Sequence, residues 1–101
     1  MERGEAMSDH EALWFEIRQR DGGMCLECAA EGRETLSEAV HHIVHRGQYA
    51  DELIWRPENM ISLCNDCHSR ADSGVARSKH LKILKKRYGY VYEEPRWLSY
   101  L

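Results

Sequence analysis

Hydrophobic and polar positions follow several distinct rhythms along this chain. Near the start, Leu13, Trp14 and Ile17 fall on one helical face, and Ser8 followed by Glu11 has capping-box spacing, so a first helix is predicted there. The glycines of "DGG" at 21–23 end it. "CLEC" then reads as a tight knuckle, followed by a polar stretch through Glu34. "EAVHHIV", 38–44, is rich in β-branched residues and predicts a strand; "NMISL", 59–63, predicts a second one running into Cys64. Between them, 45–58 reads as a loop containing Gly47 and Pro57. "NDCHSRAD" predicts a short helix that stops at Ser73 and Gly74, and a basic amphipathic helix follows from Ser78 to Tyr88, with Leu81, Leu84 and Tyr88 on its apolar side. The last stretch, "YVYEEPRWLSYL", is aromatic-rich and is expected to pack across the domain. The order is helix, knuckle, strand, long loop, strand, short helix, basic helix, which predicts a small α+β domain.

A chain of 101 residues is one domain. At that size only about 65% of the unfolded surface is buried, so a metal or other staple helps. A hydrophobic content of 43% excludes wholesale disorder. No apolar run approaches the ~20 residues of a membrane span, so no membrane partner is expected. The opening "MERGEAMSDHEALW" has no apolar core of a secretory signal, and a cytoplasmic location is expected. In that reducing setting four cysteines in two pairs suggest metal rather than disulfides. The net charge of −3 looks wrong for a nucleic-acid binder, but the charge is segregated. Arg70, Arg77, Lys79, Lys82, Lys85, Lys86 and Arg87 crowd residues 70–87 against one acid, Asp72. Such a strip binds phosphate whatever the total charge, although the same pattern also describes a solvated helix face.

Cys25-x-x-Cys28 and Cys64-x-x-Cys67 are knuckles of the kind that jointly hold a tetrahedral zinc. The gap between them is longer than in a zinc ribbon and leaves room for both strands and the loop. Beside the second knuckle stands His68. "CNDCH" fits a haem-attachment pattern, but that would leave Cys25 and Cys28 without a role; a zinc held by three cysteines and His68 would strand the fourth. A ligand for a second, reactive metal is the third reading, and it leaves all four cysteines to the zinc. His41 and His42 are adjacent on a predicted strand and so point to opposite faces. If that strand lies beside the short helix, one of them can share a metal with His68 while the other acts as a base.

Taken together, "AVHHIVHRG" and "PENMISLCNDCHSR" resemble the HNH nuclease motif in its zinc-bearing form, as found in phage and restriction endonucleases. The resemblance runs from Cys25 to about His68 and implies a ββα-metal finger with flanking helices. Residues 1–101 would then form a single nuclease domain, with a core at about 24–74, the basic helix at about 78–88 and an aromatic tail at 89–101. It implies that His42 is the general base, that Asn59 orients it, and that His41 and His68 hold a catalytic divalent ion, Mg²⁺ or Mn²⁺. It also implies a structural zinc on Cys25, Cys28, Cys64 and Cys67. DNA is the implied partner, held along its backbone by Arg46, Arg77, Lys79, Lys82, Lys85 and Lys86, with His45 beside Arg46. Two departures matter. His at position 41, where relatives often carry Asp, makes the site less hard and opens it to other transition metals. Ala71-Asp72 follows where relatives often have Lys-Thr, and Asp72 is within reach of the same metal. The implied activity is metal-dependent DNA cleavage: a monomer with a single active site would nick, and a double-strand cut would need a homodimer or two successive events. The alternative is a zinc-stabilised DNA-binding module without catalysis.

Overall fold

The computed structural model describes residues 8–43 and 55–90. His45, Arg46 and the tail from residue 91 onward lie outside the described residues.

The first helix, α1 (Asp9–Arg20), begins as its sequence dictates: the Ser8 hydroxyl accepts the Glu11 N–H, and the Glu11 carboxylate accepts the Ser8 N–H. Two positive-φ glycines, Gly22 and Gly23, turn the chain out of it. A short helix α2 (Leu26–Ala30) follows, then strand β1 (Ala39–His42), a single turn of 3₁₀ helix (Pro57–Asn59) and strand β2 (Met60–Leu63). Helix α3 (Asn65–Ser69) and the long helix α4 (Gly74–Tyr88) complete the order.

The strands pair antiparallel, Ala39 opposite Leu63 and His42 opposite Met60. Every residue of β2 is buried because the hairpin is covered on both sides. Val40 and Met60 meet Ile17, Leu13 and Trp14 of α1 on one face. On the other face Ile61 and Leu63 join Leu26, Ile83, Leu84 and the four cysteines. The unbroken apolar reading of "MISL" is therefore that of a strand buried on both faces.

Several boundaries differ from the sequence reading: β1 is Ala39–His42 within the expected 38–44, and α3 ends at Ser69 rather than running on to Asp72. Asn59 ends the 3₁₀ turn and does not open the strand, because Pro57 stands at the start of that turn with its φ already suited to it. The basic helix starts four residues before Ser78, at Gly74, because the Ser73 side chain accepts the Ala76 N–H and caps it.

A buried polar cluster ties the layers together. Arg20 donates to both carboxylate oxygens of Asp21 and to the carbonyls of Pro57 and Met60. Asp21 also accepts the Ser62 N–H and the Tyr88 hydroxyl. The end of α1 thus grips both sides of the turn that carries Asn59, and α4 locks on from below.

Candidate functional site

Each knuckle is built the same way. Cys25 and Cys64 are the N-cap residues of α2 and α3, and each sulfur accepts the backbone N–H of the second cysteine, at 3.4 Å for Cys28 and 3.5 Å for Cys67. Thiolates placed there meet the positive end of a helix. Between the knuckles, Cys28 Sγ lies 3.9 Å from Cys64 Sγ and 3.8 Å from Cys67 Sγ, and all four sulfurs lie within 4.8 Å of one another. A disulfide needs about 2.05 Å. A tetrahedral ion with sulfurs at about 2.3 Å has edges of about 3.8 Å. The four buried cysteines therefore fit a metal ion such as zinc, and their soft donors suit it. Arg33 donates to Cys28 Sγ at 3.4 Å and Arg70 approaches Cys67 Sγ at 3.9 Å, offsetting the negative charge that four thiolates would carry. The Thr35 side chain, aided by Arg33, pulls the Cys28 thiol down to about 7 despite its burial. Burial pushes the Cys25 and Cys67 thiols up. His68 lies outside this group, so the reading with three cysteines and one histidine is not the one the structure builds.

The strand alternation separates the two histidines of β1. His41, buried, faces α3 and α4: its ring stands edge-on to His68 at 5.2 Å between centroids and to His80 at 5.8 Å. Two imidazoles sharing one ion, each nitrogen about 2.1 Å from it at a tetrahedral angle, have centroids about 5.3 Å apart. The pair His41 and His68, at 5.2 Å, matches that spacing; an octahedral ion, with its ligands at about 90°, would draw the centroids in to about 4.6 Å. His42 faces the α1 side, edge-on to Trp55 at 4.4 Å, and Trp55 is in turn stacked flat on His10 at 3.8 Å. Asn59 is fully buried; its carbonyl accepts the Ile43 N–H at 2.8 Å, which extends the hairpin ladder one step beyond His42 and Met60. Both histidines therefore sit at the last rungs of the ladder, beside Asn59 and on either side of the sheet. Asp72 is exposed, beyond the end of α3.

On α4, Lys82, Lys85 and Lys86 are exposed and Arg77 is half-buried. Lys79 is turned inward to Glu27 at 3.3 Å and Glu31 at 3.4 Å. His80, next to it, is fully buried and bonded to Glu27 at 2.8 Å. Burial would push the Glu27 carboxyl up, but His80 and Lys79 outweigh it and hold it low.

Sequence reasoning missed His10, Trp55, Glu27, His80 and the Arg20–Asp21 pair. The signal for His80 was present: it stands four residues before Leu84 and eight before Tyr88, on the apolar stripe of its helix.

A hairpin with adjacent histidines at its end, packed on a short helix that presents a third, and braced by paired Cys-x-x-Cys knuckles, defines an HNH-type finger. The chain belongs to the HNH endonuclease family: the family model matches residues 25–74. It is also 31% identical over 77 residues to a protein of Lactococcus phage SK1 named "Probable HNH endonuclease", an alignment covering 66% of this chain and 72% of the phage protein. No solved structure matches the chain significantly. No described helix is long and apolar enough to cross a membrane.

Proposed function

We propose that this protein is a metal-dependent DNA endonuclease that hydrolyses phosphodiester bonds with His42 as general base. The observation that carries the reading is the His41–His68 pair, with ring centroids 5.2 Å apart: His41 stands on β1 and His68 on the helix whose N-terminal turn belongs to the cysteine cluster. His41 and His68 hold the divalent ion, Mg²⁺ or Mn²⁺, and the four cysteines hold a structural zinc. When bound, the divalent ion supplies positive charge to a phosphoryl oxygen and to the departing alkoxide.

The remaining work falls to the chain's own groups. A neutral imidazole takes a proton from water near physiological pH, which is the role of His42. Its ring is fixed by the Trp55 edge contact, and Asn59 lies one ladder step away to orient it. His41 and His42 are neighbours at the end of the hairpin, so the base would stand one residue from a ligand of the ion. Cys67 immediately precedes His68, so the structural metal rigidifies the helix that holds the reactive one. Exposed Lys82, Lys85 and Lys86 hold the DNA backbone without reading sequence. Acting alone, one such site nicks a single strand.

The test is supercoiled plasmid with the zinc-loaded protein in EDTA, Mg²⁺, Mn²⁺ or Ni²⁺, beside His42→Ala and His68→Ala. Metal-dependent open circles are expected with the unchanged protein, none with His42→Ala despite normal folding and metal binding, and loss of the divalent ion with His68→Ala. A folded protein that binds DNA but cuts it under no metal would make it a zinc-stabilised binding module instead.

A further inference from the structure

His80 has no place in the motif, yet it is the most deeply enclosed histidine among the described residues, with no exposed surface at all. Its Nε2 lies 2.8 Å from Glu27 Oε1. A carboxylate only accepts, so Nε2 carries a hydrogen, and in the neutral form of the ring Nδ1 is then a bare acceptor. That Nδ1 is buried and, among the described residues, has no hydrogen-bond partner. A buried acceptor left unpaired is a standing penalty, so its neighbours matter. The two ring nitrogens diverge, which turns Nδ1 away from Glu27. The ring contact His80 makes is with His41, perpendicular at 73° and 5.8 Å between centroids. Two imidazoles joined end-on by an N–H···N bond of ordinary length have centroids about 5.2 Å apart. The observed pair is longer by about half an ångström, so no bond is made in this structure, and a contact of this length closes to a bond with a small shift of either ring.

We propose that His80 is a positioning residue for the divalent-ion site: its Nδ1 accepts the ring N–H of His41 that faces away from the ion. Glu27, His80 and His41 then form one hydrogen-bonded row behind the metal ligand, starting inside the first cysteine knuckle, where Glu27 lies between Cys25 and Cys28. Such a row fixes the tautomer and ring plane of His41 and raises its basicity toward the ion. Lys79, 3.3 Å from the other Glu27 oxygen, anchors its far end. The inference rests on the reading of His41 as a ligand given above.

The experiment measures Mn²⁺ affinity of the zinc-loaded protein by calorimetry, with no DNA present. His80→Phe keeps a ring of similar size but neither donor nor acceptor; His80→Gln carries one amide able to donate to Glu27 and accept from His41. Zinc content and thermal melting are followed as folding controls. His80→Phe is expected to bind Mn²⁺ about 10–100-fold more weakly, with His80→Gln within about threefold of the unchanged protein. Unchanged affinity in His80→Phe, or equal losses in both variants, overturns the proposal. If His80→Phe does not fold, long-range ¹H–¹⁵N spectra of the unchanged protein decide. The Nε2–H tautomer with an Nδ1 shift on adding Mg²⁺ supports the row; hydrogen on Nδ1, or no response to Mg²⁺, overturns it. His41→Ala separates the two readings. If it loses Mn²⁺ while His80→Phe does not, only the role of His80 falls; if it binds Mn²⁺ normally, the ion site itself has been misassigned.

Discussion

Asp21→Ala tests whether the grip of α1 on the hairpin is structural or superficial. The carboxylate is fully buried and accepts from four donors: Arg20 Nε at 2.7 Å, Arg20 Nη2 and the Ser62 N–H at 3.0 Å, and the Tyr88 hydroxyl at 2.6 Å. That uses all the sites a carboxylate offers. Removing it strands a buried backbone N–H, costing about 1–3 kcal/mol. It also leaves Arg20, whose side chain is only 14% exposed, without its counter-charge. Breaking one side of a buried pair costs about 3–5 kcal/mol. Arg20 retains the Pro57 and Met60 carbonyls, so the two losses do not add in full, and about 3–5 kcal/mol is expected altogether. That is a large share of the roughly 5–15 kcal/mol that a domain of this size has. In urea, with a slope of about 2 kcal/mol per molar, the midpoint should fall by about 1.5–2.5 M. Unfolding is followed by circular dichroism at a fixed excess of zinc, since metal lost during the transition would distort it. Adding Arg20→Met to Asp21→Ala should recover part of the loss, because much of the cost is the stranded cation. A loss under about 1 kcal/mol, or no recovery in the double variant, would refute the argument.

Other predictions follow from the same structure. Cys28→Ser should be largely unfolded, because the metal supplies on the order of 10 kcal/mol of apparent folding free energy; a normal cooperative melt of that variant would end the metal-site reading. DNA affinity should fall about a hundredfold between about 50 and about 200 mM salt if the exposed Lys82, Lys85, Lys86 and Arg87 each neutralise a phosphate. Titrations across salt should then show Lys82→Ala lowering the slope by about one while Lys79→Ala, already paired to Glu27 and Glu31, leaves it unchanged. Gly89 closes α4 at φ 76°, so Gly89→Ala should cost about 1 kcal/mol in a thermal melt.

Much of the finger was legible because it is written in local chemistry. The Ser8 cap, the "DGG" turn, the β-branched run of β1 and the paired knuckles each act over a few residues and appear where those residues place them. Strand alternation allowed one histidine of the pair to meet His68, the resemblance to the HNH motif singled out His41, and the structure sets its ring 5.2 Å from that of His68. What stayed hidden depends on contacts between distant segments. Arg20 and Asp21 read as an ordinary charged helix end, and only their meeting with Pro57, Met60, Ser62 and Tyr88 makes them a buried anchor. Lys79 belongs by pattern to the basic strip, but Glu27 and Glu31 draw it inward. The wall that Trp55 and His10 build against His42 joins three segments, which no window of sequence spans.

The hairpin's antiparallel ladder ends at Ala39 opposite Leu63, directly beside Cys64, so its register is pinned at the end remote from its own turn. An ordinary hairpin relies on a tight turn for that purpose. Here the sulfur cluster closes the ring from the other side, and the connection over residues 43–59 is relieved of the task. Each doubling of such a connection costs only about 0.6 kcal/mol in closure entropy. Insertions between the strands can thus be gained or lost over evolution, changing what the protein touches without shifting His41 and His42 by a single rung.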